Sequence, residues 1–202
     1  LLFLTNLGCI EHNPWSSRVD ELEHPDYVFF DLDPTEGTSY ATVAEVARAI
    51  ARLMKQAGCP VFLKTSGATG MHAFVPLERL YTYEEARTFA EIVARLVARE
   101  VGELLAWERS VEKRQPGKVY FDYSQNAYGR PLASVYSVRP AAAATVSTPI
   151  PARRLGKPLA PEAFTLETVP AMLRQKGDLW AGFWESRQRL EPLLERLRER
   201  IG

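Results

Sequence analysis

The sequence predicts a single domain of the α+β class, spanning residues 1–202, in which a β-sheet is flanked by helices. The chain has 202 residues, of which 46% are hydrophobic and 25% charged, which is enough to bury one full core. Short apolar runs typical of strands alternate with long segments whose apolar residues recur at helical spacing. A glycine-rich turn between two of the apolar runs indicates a hairpin, so at least one strand pair is antiparallel.

The first half of the chain contains three predicted strands and a helix. A strand over residues 27–32 precedes a helix that begins at Thr38 and ends near Gln56, with its apolar residues on one stripe. Strands over residues 61–64 and 71–75 follow, and the glycine-rich loop between them makes them a hairpin.

The second half begins with a helix that Thr82 caps, with Glu85 completing a capping box. A strand over residues 119–123 follows. Residues 140–161 are rich in Pro and Ala and are predicted to form an extended surface segment. Residues 183–201 are predicted to close the chain as an amphipathic helix.

Cysteine usage and hydropathy exclude several classes of protein. Cys9 and Cys59 are too few for a disulfide framework, and neither belongs to a Cys/His cluster that would bind zinc. No apolar run approaches the ~18 residues of a membrane span, so no membrane partner is expected. The apolar residues 1–10 lack a basic flank and a cleavage site, and are predicted to belong to the core. A cytoplasmic location is expected, as is an origin within a longer protein, because the first residue is not Met.

The net charge is zero, but the charges are segregated along the chain. Residues 1–45 contain nine acidic residues against Arg18 alone, and residues 109–157 contain nine basic residues against Glu112 and Asp122. An acidic edge facing a basic stretch suits an anionic substrate bridged by a cation. The alternative interpretation is a solvated surface of mixed charge.

Asp31 and Asp33 follow the apolar run of the first strand. Residues i and i+2 of a strand point to the same face, so both carboxylates leave the end of this strand side by side. Two adjacent like charges repel unless a cation neutralises them, and carboxylate oxygens favour Mg²⁺ or Mn²⁺. The alternative is an Asx turn that closes the strand.

Asp122 lies between Phe121 and Tyr123 in an otherwise apolar strand. Burying an uncompensated carboxylate costs several kcal/mol, so this residue is expected to be paired, hydrogen-bonded or bound to metal. It is the natural third ligand for the metal site at Asp31 and Asp33.

The loop after Lys64 combines hydroxyls and glycines between two strands. Its glycines allow backbone N–H groups to approach phosphate oxygens, Ser66 can donate to them, and His72 on the next strand can reach a terminal phosphate. The loop does not open a helix, so it is not a Walker motif. The alternative is an ordinary glycine hairpin with His72 as a satisfied residue at its edge.

Arg139 is predicted to lie at a strand end. Its guanidinium group can clamp a phosphate with two parallel hydrogen bonds. The alternative is a surface salt bridge.

In this order, these segments resemble the polymerase domain of bacterial ligase D, the end-joining branch of the archaeo-eukaryotic primase superfamily. The resemblance covers essentially the whole chain. The matching residues are His12-Asn13-Pro14-Trp15-Ser16-Ser17-Arg18, Phe30-Asp31-Leu32-Asp33-Pro34, Lys64-Thr65-Ser66-Gly67 with Gly70-Met71-His72, Phe121-Asp122-Tyr123 with Asn126, and Tyr136-Ser137-Val138-Arg139-Pro140, with Phe164-Thr165-Leu166 and Gly177-Asp178 in the tail.

The resemblance implies a primase-polymerase fold with a mixed or antiparallel sheet, whose catalytic half is similar to an RNA-recognition motif. It implies two-metal nucleotidyl transfer to a primer 3′-hydroxyl, with two Mn²⁺ or Mg²⁺ ions as cofactors. The implied partners are DNA ends or gapped DNA, NTP or dNTP, Ku and an ATP-dependent DNA ligase. The implied metal ligands are Asp31, Asp33 and Asp122, the nucleotide contacts are Lys64, Ser66, Gly67, His72 and Arg139, and further site positions are His12, Thr69, Lys118 and Ser137.

The chain departs from the family pattern in two ways. The family usually carries Lys at the position of Thr69, so one cationic contact is missing. The family domain also has a further N-terminal portion ahead of Leu1, with basic residues for a 5′-phosphate and aromatic residues that pack on the base.

Two other functions are compatible with parts of the sequence. A phosphohydrolase of the haloacid dehalogenase type would use Asp31 as its nucleophile and Asp33 as an acid/base, although Pro34 stands where that motif has Gly. A binding module for nucleotides or nucleic acid would keep the fold with weak catalysis. Primer extension distinguishes the three functions.

Overall fold

The computed structural model describes residues 2–199 and contains one six-stranded sheet in the order β4-β5-β1-β3-β2-β6. Only the β4–β5 pair is parallel, and the other pairs are antiparallel. This confirms the α+β class and the mixed sheet. The elements are α1 Leu2–Asn6, β1 Tyr27–Pro34, α2 Tyr40–Gln56, β2 Phe62–Thr65, β3 Met71–Pro76, α3 Tyr83–Val101, β4 Leu105–Ala106, β5 Val119–Asp122, β6 Pro149–Ile150, α4 Thr168–Lys176 and α5 Leu190–Arg198.

The central strand β1 separates the two faces of the sheet. Its residues Val28, Phe30 and Leu32 are fully buried and belong to the main core with the apolar stripes of α2 and α3. Because side chains alternate along a strand, Phe29, Asp31 and Asp33 point to the opposite face. We call this opposite face the carboxylate face.

Helix α3 begins where the sequence predicts, whereas α2 begins at Tyr40, two residues after the predicted start at Thr38. Ser39 caps α2 by accepting a hydrogen bond from the Thr42 N–H at 3.2 Å. Thr82 and Glu85 form the complete capping box of α3. These caps satisfy orphan N–H groups of the first turns, and so they fix where each helix starts against the sheet. No helix within residues 2–199 is long and apolar enough to cross a membrane.

The prediction of a helix over residues 183–201 is wrong at its start. Helix α5 begins only at Leu190, and Pro192 lies in its first turn, where proline is tolerated. Phe183 instead joins a second, smaller core with Phe29 and Phe74 on the carboxylate face. Residues 200 and 201 of the predicted helix lie outside the described residues.

Two further predictions need correction. The segment 140–161 is not extended throughout, because Ala152–Arg154 form a 3-10 turn, and it is not confined to the surface: residues 145–150 are buried and supply the edge strand β6. Of the predicted core segment 1–10, residues 2–10 do not enter the core, since Leu2 is 89% and Leu7 67% exposed, and residue 1 lies outside the described residues. In both cases the local sequence shows which residues are apolar. It does not show whether they are buried, because burial depends on packing and strand pairing with distant parts of the chain.

Candidate active site

One row of polar side chains crosses the carboxylate face from strand to strand. The register pairs Asp31 with Asp122 of β5 on one side and with His72 of β3 on the other. His72 is in turn paired with Lys64 of β2. Directly opposite residues have Cβ atoms about 4.5–5.5 Å apart, so the fold brings two carboxylates, an imidazole and an ammonium group together.

Asp31 and Asp33, which lie on the same face of β1, carry raised pKa values. Burial, and then the charge of Asp122, raises the pKa of Asp31 to about 7. Burial, and then the charge of Asp31, raises the pKa of Asp33 to about 7. In both groups burial and carboxylate repulsion outweigh the nearby positive charges, and a bound cation would favour the ionised forms.

Lys64 and His72 form a buried pair beside Asp31. Lys64 Nζ lies 2.8 Å from His72 Nδ1 and donates to Ser147 Oγ at 2.6 Å. Because Nζ donates, we infer that the ring proton of His72 is on Nε2, 3.2 Å from Asp31 Oδ1. Burial lowers the pKa of Lys64 to about 7, and burial together with the Lys64 charge lowers the pKa of His72 well below its usual value.

The donor set fits a hard divalent cation. The Nε2–H of His72 is not aligned with Asp31 Oδ1, and this buried oxygen has no hydrogen-bond partner among residues 2–199. Asp122 Oδ1 accepts hydrogen bonds from the Ser124 N–H at 3.0 Å and the Ser124 hydroxyl at 2.5 Å. Within the described part of the chain, no three acidic, His or Cys side chains converge as a ready metal cage. Binding one cation between these carboxylates would therefore require their side chains to move.

The loop between β2 and β3 is held by its own serine. Ser66 Oγ accepts hydrogen bonds from the N–H groups of Ala68 at 3.1 Å and Gly70 at 3.0 Å, which leaves its proton free to donate. Gly67 has φ +76°, and a Cβ there would lie 2.6 Å from Arg139 Cγ. The loop and Arg139 are thus packed together, with Thr69 exposed at the tip.

Arg139 lies beside this loop with an acidic partner. Its Nε is 3.3 Å from Glu11 Oε1, and each side chain is 25% exposed. Its Nη1 is 3.5 Å from the Ser66 carbonyl oxygen. The ion pair with Glu11, which the sequence did not indicate, is present in the structure, and the phosphate clamp stays a prediction.

Three other predicted site residues have structural contacts. Ser137 Oγ accepts a hydrogen bond from the His12 N–H at 2.9 Å, so this pair ties residues 9–14 to the segment before Arg139. Lys118 does not face the carboxylates, because its Nζ donates to the Glu103 carbonyl oxygen. Its backbone carbonyl accepts from the hydroxyls of Thr35 and Thr38, so Lys118 fixes the turn after β1.

Sequence reasoning missed Arg114. Its guanidinium group lies 3.6 Å from the ring centroid of Tyr120, which is paired in register with Asp33. Its charge favours the ionised forms of Asp31 and Asp33, so it acts against the raised pKa values. The basic stretch 109–157 was the available signal, but only the fold shows which of its cations reaches the carboxylates.

Asn126 was part of a matching motif without an assigned role. Its side-chain Oδ1 accepts from the Phe29 N–H at 3.0 Å, and its Nδ2 donates to the Phe29 carbonyl oxygen at 2.7 Å. The amide thus continues the β1–β5 hydrogen bonding beyond the end of β5 and holds β1 in place below Asp31.

Fold and site together define an α+β protein that presents acidic and basic side chains in one row across a single sheet face. A family model described as "LigD, primase-polymerase domain" matches residues 1–180. The chain belongs to the family of LigD primase-polymerase domains. Metal dependence is general to this family.

Relatives support this assignment. The chain is 31% identical over 97% of its length to the multifunctional non-homologous end joining protein LigD of Pseudomonas aeruginosa, and 30% identical over 96% to the bifunctional LigD of Bacillus subtilis. It spans 24% and 31% of those proteins. The polymerase domain of Mycobacterium tuberculosis ligase D, solved in complex with DNA, matches with a TM-score of 0.72 and 29% identity, covering 82% of this chain and 57% of that one.

Proposed function

We propose that this chain adds nucleotides to a primer 3′-hydroxyl at DNA breaks or gaps. The observation that carries the proposal is the row in which Asp122, Asp31, His72 and Lys64 meet across four strands. Acidic groups can bind a divalent cation, and basic groups beside them can bind the polyphosphate that this cation contacts. The row therefore suits a reaction at a polyphosphate. Asp31, Asp33 and Asp122 would hold two Mn²⁺ or Mg²⁺ ions, which when bound stabilise charge on the attacking and leaving oxygens.

The remaining site residues bind the triphosphate in this proposal. Arg139 and the hydroxyl of Ser66 offer hydrogen bonds to phosphate oxygens, and the loop glycines let the backbone approach them. Lys64 is held in the row by His72 and Ser147. Its ammonium charge supports the ionised form of Asp31.

The proposed nucleic-acid substrate is a DNA end or a gapped duplex. The similarity to a polymerase domain solved with DNA supports this choice. Because the relatives are end-joining proteins several times longer, we propose that the chain acts as one primase-polymerase domain alongside Ku and an ATP-dependent ligase. Neither the fold nor the comparisons support the haloacid dehalogenase alternative.

Primer extension on a gapped duplex, with a labelled primer and either NTP or dNTP, tests the proposal. We expect products one or more nucleotides longer in the presence of Mn²⁺ or Mg²⁺, and none with Asp33→Asn. Phosphate release from small phosphoesters without primer extension would contradict it. Nucleotide binding without extension would favour the binding module.

Replacing Asp122 is expected to weaken metal binding. Asp122→Ala removes one of three carboxylates and a full negative charge, so Mn²⁺ affinity should fall by more than about tenfold. Titration of the purified variant by calorimetry or Mn²⁺ paramagnetic resonance measures this. Asp20→Ala is the control, because Asp20 is exposed and paired with Arg79 far from the row. Equal Mn²⁺ affinities of the unchanged protein, Asp122→Ala and Asp20→Ala would show that Asp122 is not a metal ligand.

Replacing Thr69 is expected to increase activity. Thr69→Lys adds a cation at the exposed tip of the loop, where an added phosphate contact is worth roughly 1 kcal/mol or more, so extension at limiting substrate should rise about fivefold. Ala68→Lys is the matched control, since it adds the same charge at the neighbouring exposed position. An equal gain in both variants would indicate general electrostatics rather than a specific contact.

A further inference from the structure

A cavity formed by residues in the described part of the chain lies over the carboxylate face, away from the carboxylates. It has a volume of about 640 Å³, and its aromatic walls come from Trp15, Tyr27, Phe74, Trp180, Phe183 and Trp184. Phe74 follows His72 by two residues in β3, a distance of about 7 Å along the strand. We call this space the aromatic cavity, and it begins next to the proposed catalytic row.

The floor of the aromatic cavity is formed by closely packed rings. The rings of Trp180 and Phe183 stack with centroids 5.0 Å apart and planes within 4° of each other. The Trp180 ring also lies 5.0 Å from Phe74, and its Nε1 donates to the Leu63 carbonyl oxygen at 3.3 Å. A closely packed aromatic floor loses little conformational entropy when a planar ligand binds.

The rim of the cavity combines exposed indoles with guanidinium groups. Trp15 is 38% and Trp184 45% exposed. Arg18 lies 4.8 Å and Arg187 5.5 Å from the ring centroid of Trp184. Arg18 is held there because its Nε donates to buried Asp26 Oδ2 at 3.0 Å. An exposed aromatic ring beside cations is the arrangement by which proteins stack unpaired bases.

We propose that the aromatic cavity holds an unpaired nucleobase of a DNA strand, stacked on Trp184 and Trp15. The choice of DNA rests on the proposed function, whereas the stacking chemistry rests on the cavity alone. The proposal also gives the segment from His12 to Arg18 a role that the catalytic row does not explain, since Trp15 and Arg18 both line the cavity.

Charges around the cavity indicate that stacking dominates over phosphate contacts. Arg18 is the one cation among the described lining residues and Arg187 lies beside Trp184, whereas Asp26, Asp178 and Glu185 also line the cavity. Asp178 Oδ1 accepts from the Tyr136 hydroxyl at 2.7 Å and from the Trp180 N–H at 2.9 Å, so its charge is engaged. Binding of single-stranded DNA at this site should therefore depend only weakly on salt.

Equilibrium binding of a short fluorescent oligothymidine, in EDTA and without nucleotide, tests the proposal. Base–aromatic stacking is worth about 1–3 kcal/mol, so Trp184→Ala should bind about five- to a hundredfold more weakly, while Trp184→Phe should keep most of the affinity. Trp107→Ala is the matched control, because Trp107 is also 45% exposed but lies beside Arg95 and Ala98. Far-ultraviolet circular dichroism checks that each variant is folded.

An oligonucleotide of the same length made of abasic residues separates stacking from backbone contacts. We expect it to bind weakly to the unchanged protein and no more weakly to Trp184→Ala. Equal affinity of the unchanged protein for the abasic and intact strands, unchanged affinity in folded Trp184→Ala, or no binding of the intact strand would each overturn the proposal. Failure of the proposed function would show separately, as absent primer extension with metal and nucleotide while this metal-free binding persists.

Discussion

Asp31→Asn is expected to abolish primer extension while stabilising the metal-free protein at neutral pH. Loss of a supporting residue around a bound metal costs 10–100-fold, so loss of a ligand itself should lower activity by more than about a hundredfold. The stabilisation follows from burial: the pKa of Asp31 is raised to about 7 from its ordinary value of 3.8. An amide at this position avoids burying a charge beside Asp122.

The stability of the metal-free protein should change with pH in a defined direction. Because the folded state holds the Asp31 proton more tightly than the unfolded state, the metal-free protein loses stability as the pH rises from about 4 to about 7. Lys64, whose pKa is lowered to about 7, changes stability mainly above that pH. We therefore expect Asp31→Asn to unfold at the same temperature as the unchanged protein near pH 4. Near pH 7 it should be more stable by about 1 kcal/mol or more.

Thermal unfolding in EDTA at several pH values measures this difference. Asp20→Asn is the control: Asp20 is exposed and its hydrogen bond to Arg79 lowers its pKa, so its loss should give no stabilisation. A lower melting temperature of Asp31→Asn at neutral pH would mean that Asp31 stabilises the fold. The interpretation that the row lowers stability in exchange for function would then be wrong.

Arg139→Ala is expected to raise the apparent dissociation constant for nucleotide by about ten- to a hundredfold, because charge-assisted hydrogen bonds contribute roughly 1.5–3 kcal/mol. Glu11→Gln should have the opposite effect, since it removes the carboxylate 3.3 Å from Arg139 Nε that competes with phosphate. Fluorescent nucleotide binding in the presence of Mn²⁺ measures both changes. The opposite signs distinguish a phosphate clamp from a structural salt bridge.

Arg95→Ala is the control for Arg139. Arg95 is also paired with a glutamate, but this pair lies on the surface of α3 and the Arg95 side chain is 72% exposed. Removing it should leave nucleotide affinity unchanged. If Arg139→Ala binds nucleotide normally, or if Arg139→Ala and Glu11→Gln both only lower the melting temperature, the salt-bridge interpretation stands.

Local patterns were sufficient for the central elements. The alternation of Phe29, Phe30 and Asp31 in β1 places the acid on one sheet face, because the side-chain period of a strand is fixed at two. The capping box at Thr82 likewise requires only neighbouring residues. Local patterns failed for the start of α5 and for residues 145–150, where packing against distant residues decides the conformation.

Two features of the site follow from residues that are near one another in the chain: Asp31 and Asp33 share a face, and a glycine-rich loop follows Lys64. Three others depend on the folded chain, namely that Asp122 lies opposite Asp31, that Lys64 is fully buried against His72, and that Arg139 is paired with Glu11. These contacts join residues separated by 8 to 128 positions. They arise from strand register and loop packing, which no short segment of sequence encodes.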